Sequence, residues 1–331
     1  MTETTQHLHD EAQVRWFADA FEAMTANVER AVLGKRHVVR LALTCLVTQG
    51  HLLLEDLPGT GKTMLARALA NTIEGSHSRI QFTPDLLPSD VTGVTVYDQH
   101  KGTFEFHRGP IFHHLVLADE INRASPKTQA ALLEVMEEGQ VTVDGVTHPV
   151  PAPFMVIATQ NPVEQAGTYR LPEAQLDRFL MKTAIGHPGA EAMEELLLSS
   201  AVRDRSAALS PVATGAEVLA MSELAGQVRV DRAVAGYVRR LAEQSHDLPH
   251  VRLGLSARGG LALIRVAKTW ALTQGRGYVV PQDIVDLAVP VLSHRLLLDA
   301  HAQFADITVD AVIEQLLAAV QPPSLGALGS A

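Results

Sequence analysis

The chain predicts an α/β domain, a doubly wound sheet with helices about it, followed by a smaller domain built of helices. Three observations carry that expectation. An apolar run, Leu52 to Leu54, gives way to a Pro-Gly-Thr-Gly turn and then to a helical pattern opened by Lys62-Thr63. Two further apolar runs, His114 to Leu117 and Phe154 to Ala158, end in polar residues, where such a sheet places its ligand chemistry. After Gly186 the texture changes, and the remainder to about Val320 reads as helices alone.

Residues 1 to about 26 read as one amphipathic helix, with Val14, Trp16, Phe17, Ala20, Phe21 and Met24 at helical spacing. A second helix from Val28 leads to Val32-Leu33-Gly34-Lys35, and Val38 to Val47 is helical again. Val32 and Leu33 form a short apolar turn upstream of the glycine-rich loop, placed either to line an adenine pocket or simply to pack helices.

The loop itself runs Pro58-Gly59-Thr60-Gly61-Lys62-Thr63-Met64. Gly59 and Gly61 let the backbone curl so that successive N–H groups converge, and the helix N-terminus adds its dipole, which suits phosphate oxygens. Lys62 would reach the outer phosphates, and the Thr63 hydroxyl would hold Mg²⁺. The match to G-x-x-x-x-G-K-[ST] is incomplete, because Asp56 stands where the first glycine belongs. Repulsion from a triphosphate predicts that its carboxylate faces away. An ordinary strand-turn-helix with a surface lysine is the alternative.

Ile80 to Thr83 reads as a short strand. The segment from Pro84 to Pro110, in which Gly102 to Phe106 alternates like a hairpin arm, interrupts what would otherwise be a helix. The next strand, His114 to Leu117, ends in Ala118-Asp119-Glu120. Asp119 is placed to hold Mg²⁺ through water, and Glu120 to orient and deprotonate an attacking water. Alone, the acidic pair reads equally as a helix N-cap. Thr128 to Glu138 is helical and ends at Gly139, and a hairpin follows over Gln140 to Val150 about Asp144-Gly145.

The strand from Phe154 to Ala158 delivers Thr159-Gln160-Asn161-Pro162 to the same sheet edge. Asn161 either holds the nucleophilic water or forms a turn before proline. Leu171 to Phe179 is a short helix whose Arg178 is an ordinary solvated residue in a monomer and, in a ring, an arginine finger reaching the next subunit. The boundaries read from the sequence are an N-terminal helix at 1–26, a sheet domain at 27–188 carrying segments 84–110 and 140–150, a linker at 189–215, a helical domain at 216–321 and a disordered tail at 322–331. Within the helical domain, helices fall at 217–225, 231–245, 256–274, 281–298 and 309–320.

A length of 331 residues suits two domains, and 47% hydrophobic residues is the composition of a globular protein. Nothing approaches an apolar stretch of membrane-spanning length, and the polar N-terminus lacks a secretory signal, so a soluble cytoplasmic protein is expected. Cys45, the only cysteine, excludes an intrachain disulfide and falls in a core pattern. A net charge of -10 argues against gripping nucleic acid. The 15 histidines are scattered, and adjacent His113 and His114 would point to opposite sides of a strand, which disfavours a shared metal.

Four blocks, LEDLPGTGKT (54–63), VLADEINRASPKTQAALLEVMEEGQVTVDG (116–145), FMVIATQNPVEQAGTYRLPEAQLDRF (154–179) and GLSARGGLALIRVAK (254–268), resemble the MoxR family of AAA+ ATPases, in order and at similar spacing. The resemblance covers about Val28 to Val320. It implies a P-loop NTPase αβα sandwich followed by an all-α lid, assembly into a homo-hexameric ring, and hydrolysis of ATP with Mg²⁺. It further implies that 84–110 is an insertion in helix 2 and 140–150 a pre-sensor hairpin, both facing the ring's axis or upper rim. Asn161 would be sensor 1, Arg178 the arginine finger and Arg258 sensor 2, whereas helix patterning alone makes Arg258 a surface residue. Asp56 is usual in the family, while Arg170 and Ala257 replace prolines without removing a catalytic group. Family members are thought to act as chaperones, often with a separate partner carrying a von Willebrand factor A domain. An ATP-gated scaffold and a chelatase-type motor subunit remain alternatives, and DNA translocation is disfavoured because Gln140 to Val150 carries no Lys or Arg.

Overall fold

The computed structural model describes residues 11–56, 59–160, 169–198 and 204–323. By contact, Ala23–Leu219 forms one compact unit, and the described residues up to Glu22 together with those from Ala220 onward form a second. The described residues of 189–215, expected as a linker, fall in the first unit.

The first helix, α1 (Glu11–Glu29), is longer than the pattern predicts, and no second helix starts at Val28. Nothing in its sequence breaks it at 26–28, and buried Asn27 there donates from its amide to Thr72 Oγ1 (2.9 Å) and the Ser210 carbonyl (3.1 Å). A turn leads to α2 (Arg36–Val47), nine of whose residues, Cys45 included, are buried. Next come β1 (Leu52–Glu55), α3 (Lys62–Thr72) and β2 (His77–Gln81). The last strand starts three residues before the apolar Ile80 that signals it.

The interrupted helix is one short piece, α4 (Pro88–Thr92), followed by a hairpin of β3 (Gly93–Asp98) and β4 (Thr103–Arg108); no helix resumes before β5 (Leu115–Asp119). His113 and His114 precede β5 rather than lying in it. His113 Nδ1 meets the Pro110 carbonyl (3.0 Å), and His114 Nδ1 meets Ser76 Oγ (3.0 Å).

Helix α5 (Pro126–Glu138) begins at an N-cap, where Ser125 Oγ accepts from Thr128 N–H, and stops at Gly139, whose φ of 63° is left-handed. The predicted hairpin follows as β6 (Gln140–Val143) and β7 (Val146–Pro149), then β8 (Met155–Gln160), α6 (Glu173–Leu176), β9 (Met181–Thr183) and α7 (Ala190–Leu198).

The sheet has the order β2-β5-β8-β1-β9 with every pairing parallel. Its three central strands, β5, β8 and β1, are near-continuous apolar runs because both faces are covered. Leu53, Val116, Ala118, Val156 and Ala158 form a core with Leu132, Leu133, Val135 and Met136 of α5, and α3 packs on β2 and β5. All five carboxyl ends therefore reach one edge.

At the other end of the sheet, buried His51 acts as a neutral strut. Its Nε2 donates to the Met136 carbonyl at the end of α5 (2.9 Å), and its Nδ1 accepts from Val156 N–H of β8 (3.0 Å). That pair of bonds fixes the tautomer. Burial pushes its pKa down to about 4, the bond to Met136 offsetting part of the fall.

The second unit is helical with one addition. It contains α8 (Gly215–Gly226) from Ala220 onward, α9 (Arg232–Ser245), β10 (Val251–Leu253), α10 (Ala257–Thr273), α11 (Pro281–Leu292), β11 (Leu297–Leu298), α12 (Ala300–Phe304) and α13 (Val309–Ala319). The helix expected to run to Leu298 ends at Leu292, and β10 pairs antiparallel with β11. Asp231, Ser256 and Thr308 each cap a helix through a side-chain oxygen. Part of the expected tail, residues 324–331, lies outside the described residues.

Candidate nucleotide site

Beyond β1 the chain turns into α3 through Gly59 (φ 83°) and Gly61 (φ 97°). A Cβ at either would meet nothing within 4 Å, so backbone conformation rather than space favours glycine there. A cavity of about 290 Å³ opens beside this turn. The loop contributes Asp56, Gly59, Gly61, Lys62 and Thr63 to its wall, and the strand ends contribute Arg79, Gln81, Asp119, Glu120 and Thr159. Six of the predicted site residues, Gly59, Gly61, Lys62, Thr63, Asp119 and Glu120, thus meet in one hollow.

The others stand elsewhere. Thr60, in the turn, and Met64, in the first turn of α3, are half-buried and outside the cavity wall; Val32, buried, and Leu33, half-buried, lie between α1 and α2 and do not line the cavity. Arg178 follows α6 and pairs with Glu137 of α5 (2.9 Å). Arg258 is the second residue of α10, exposed, in the second unit. Pro58 and Asn161 lie outside the described residues.

The carboxylate of Asp56 faces away from the hollow, as repulsion predicts. Its Oδ2 accepts from Ile185 N–H and Gly186 N–H, both at 2.8 Å, while Lys62 Nζ donates to its backbone carbonyl (3.0 Å).

Register brings the acidic pair together with groups the sequence did not single out. Asp119 lies opposite Gln81 across β2 and β5. Its Oδ2 pairs with Arg79 (2.6 Å), and its Oδ1 accepts from the Thr159 hydroxyl (2.6 Å). The same hydroxyl accepts from Glu120 N–H (2.8 Å), so Thr159 orients both acids. Glu120 Oε2 in turn accepts from Arg123 (2.9 Å) and Gln81 (3.2 Å). Glu120 has φ 56°, a left-handed conformation costing a non-glycine residue about 1 kcal/mol, and its N–H bond to Thr159 helps hold it there. It also stands before the 3₁₀ turn Ile121–Arg123, but its side chain makes no capping bond to that turn.

Thr63 and Asp119 offer a hydroxyl and a carboxylate to one hollow, hard oxygen donors of the kind Mg²⁺ takes. The guanidinium already seated on Asp119 shows that the carboxylate accepts a cation at this place.

Residues 51–181 match the model of the ATPase family associated with various cellular activities (AAA), and residues 244–316 match that of the AAA lid domain. The Bacillus subtilis protein YeaC is 46% identical over 297 residues, covering 90% of this chain and 93% of its own length. Chaperone MoxR1 of Mycobacterium tuberculosis is 40% identical over 311 residues, covering 91% of this chain and 82% of its own. A crystal structure from Cytophaga hutchinsonii, assigned as an ATPase, superposes with a TM-score of 0.88 at 36% identity, covering 95% of this chain and 98% of that one. No helix among the described residues is long and apolar enough to cross a membrane.

Proposed function

This chain belongs to the MoxR family of AAA+ ATPases, and from that premise we propose that it hydrolyses ATP with Mg²⁺ in a homo-hexameric ring and uses the cycle to remodel a client protein. The observation that supports this best is the convergence of Gly59, Gly61, Lys62 and Thr63 with Asp119 and Glu120 around one cavity. In this reading the loop amides and Lys62 bind the β- and γ-phosphates, and Val32 and Leu33 lie against adenine. Thr63 and Asp119 hold Mg²⁺, which when bound neutralises charge on the phosphates. Glu120 takes the proton of the attacking water, with Arg123 and Gln81 fixing which of its oxygens is engaged until substrate arrives. Asn161 orients that water as sensor 1, and Arg258 reads the γ-phosphate from the lid as sensor 2. The client is a separate cytoplasmic polypeptide, for which a von Willebrand factor A domain protein is the leading candidate.

Arg178 acts in trans, leaving Glu137 to reach the neighbouring subunit's γ-phosphate. Arg178→Ala should lower turnover by about 10³-fold while sparing ATP affinity. Mixing it with Glu120→Gln subunits should restore part of the activity, because some interfaces then pair an intact Glu120 with an intact Arg178. Mixtures that stay inactive at every ratio would overturn the trans assignment, and wild-type protein without ATP turnover, alone or with its partner, would overturn the ATPase reading.

A further inference from the structure

We propose that Asp56 is a positioning residue for the nucleotide: its carboxylate sets the registration between the phosphate hollow and the turn that faces the base. The inference rests on the ATP reading above and adds a role for the one residue that departs from the loop motif.

Asp56 is 7% exposed, and a single carboxylate oxygen accepts both Ile185 N–H and Gly186 N–H at 2.8 Å. Those two donors form the corner where the chain leaves β9. The turn between α1 and α2 grips the same corner from its other side. Lys35 Nζ donates to the His187 carbonyl (2.6 Å), and a side chain built on Gly34 would stand 3.0 Å from Ala192 Cβ. That turn carries Val32 and Leu33, the residues expected against adenine.

Towards the phosphates, the backbone carbonyl of Asp56 receives Lys62 Nζ (3.0 Å), and its N–H donates to the Gln160 carbonyl (3.2 Å). The main chain of one residue therefore meets the phosphate-binding lysine while its side chain holds the base-side corner. Glycine at this position, as the motif prescribes, would leave two backbone donors without their acceptor. Loop and corner would each keep their own shape and lose their mutual spacing.

The test is calorimetric titration of Mg-ATP and of inorganic tripolyphosphate with Mg²⁺ into the full-length wild-type protein, Asp56→Asn and Asp56→Gly, with thermal melts alongside. Asparagine presents one oxygen at the same reach, so Asp56→Asn should bind ATP within about three-fold of wild type. Asp56→Gly restores the motif yet should bind ATP about ten-fold more weakly. Tripolyphosphate has no base to register, and its affinity should change by less than about two-fold. If Asp56→Gly does not fold, Asp56→Ser, too short to reach both donors, is read in the same way. Wild-type ATP affinity in Asp56→Gly, equal losses for ATP and tripolyphosphate, or an Asp56→Asn as weak as Asp56→Gly would overturn the positioning role. A wild-type protein that binds neither compound would overturn the nucleotide reading itself, and this role with it.

Discussion

The two ends of the central sheet both carry polar side chains, and they handle them in opposite ways. At the carboxyl edge Asp119 and Glu120 are partly exposed and held by charged or amide partners, Arg79, Arg123 and Gln81, on flexible stems. At the amino end His51 is sealed, neutral and bonded to two backbone groups that have no other role than to carry strands and helices. Half-solvated ion pairs are weak and exchange readily, whereas removing a partner from a buried pair orphans it. One end is built to be rearranged and the other to stay fixed.

The largest test of this contrast is Glu120→Gln, which should lower ATP turnover by about 10³-fold with little change in melting temperature. Turnover within a few-fold of wild type would remove Glu120 as the base. His51→Leu should do the reverse of a site mutation, costing about 3 kcal/mol in urea unfolding because the Met136 carbonyl and Val156 N–H both lose their partner. An unfolding midpoint equal to wild type would mean that the strut is dispensable.

The pH dependence sharpens the same point. The folded pKa of His51, about 4, lies below the ordinary 6.5, so its contribution is complete above about pH 6.5 and is lost as the pH falls towards 4. Between pH 7 and pH 5 this loss should amount to about 2 kcal/mol. Unfolding of the wild type compared with His51→Gln at both pH values isolates it, and parallel profiles would count against it. The smallest effect is that of Arg79→Ala. With half its side chain in solvent, loss of its pair with Asp119 should shift stability by less than about 1 kcal/mol in the same assay. A larger shift would mean that the carboxyl edge is as rigid as the amino end.

Much of this architecture was legible from local pattern. Buried parallel strands announce themselves as apolar runs, Gly59 to Thr63 as a turn into a helix, and Asp144-Gly145 as a hairpin tip. What the pattern missed depends on neighbours. Edge strand β2, His-Ser-Arg-Ile-Gln, buries only Ile80, so its polar start through Arg79 reads as loop, and Gln81, though inside the expected strand, carries no local signal of its role. Their approach to the acids follows from register with β5, a tertiary fact. Thr159 was delivered to the right edge, yet its bond to both acids is visible only once β5 and β8 are paired. The apolar run Leu296-Leu297-Leu298 continued a helical period and was read as helix. In the structure α11 ends at Leu292 with Ser293 as its C-cap, and Leu297 and Leu298 pair with β10 instead, a partner that local pattern cannot show.

The junction between α5 and the second hairpin has a mechanical consequence. Gly139 alone separates the last turn of α5 from β6, and Val150 N–H returns to the Gly139 carbonyl (3.1 Å), closing the hairpin onto its own root. Such a root acts as a pivot with almost no slack. Four residues of strand project the Asp144-Gly145 tip about 13 Å, so a tilt of about 10° at the pivot carries the tip about 2 Å. Whatever displaces the end of this helix is therefore amplified into travel at an exposed tip, and His51 holds that same helix end through the Met136 carbonyl.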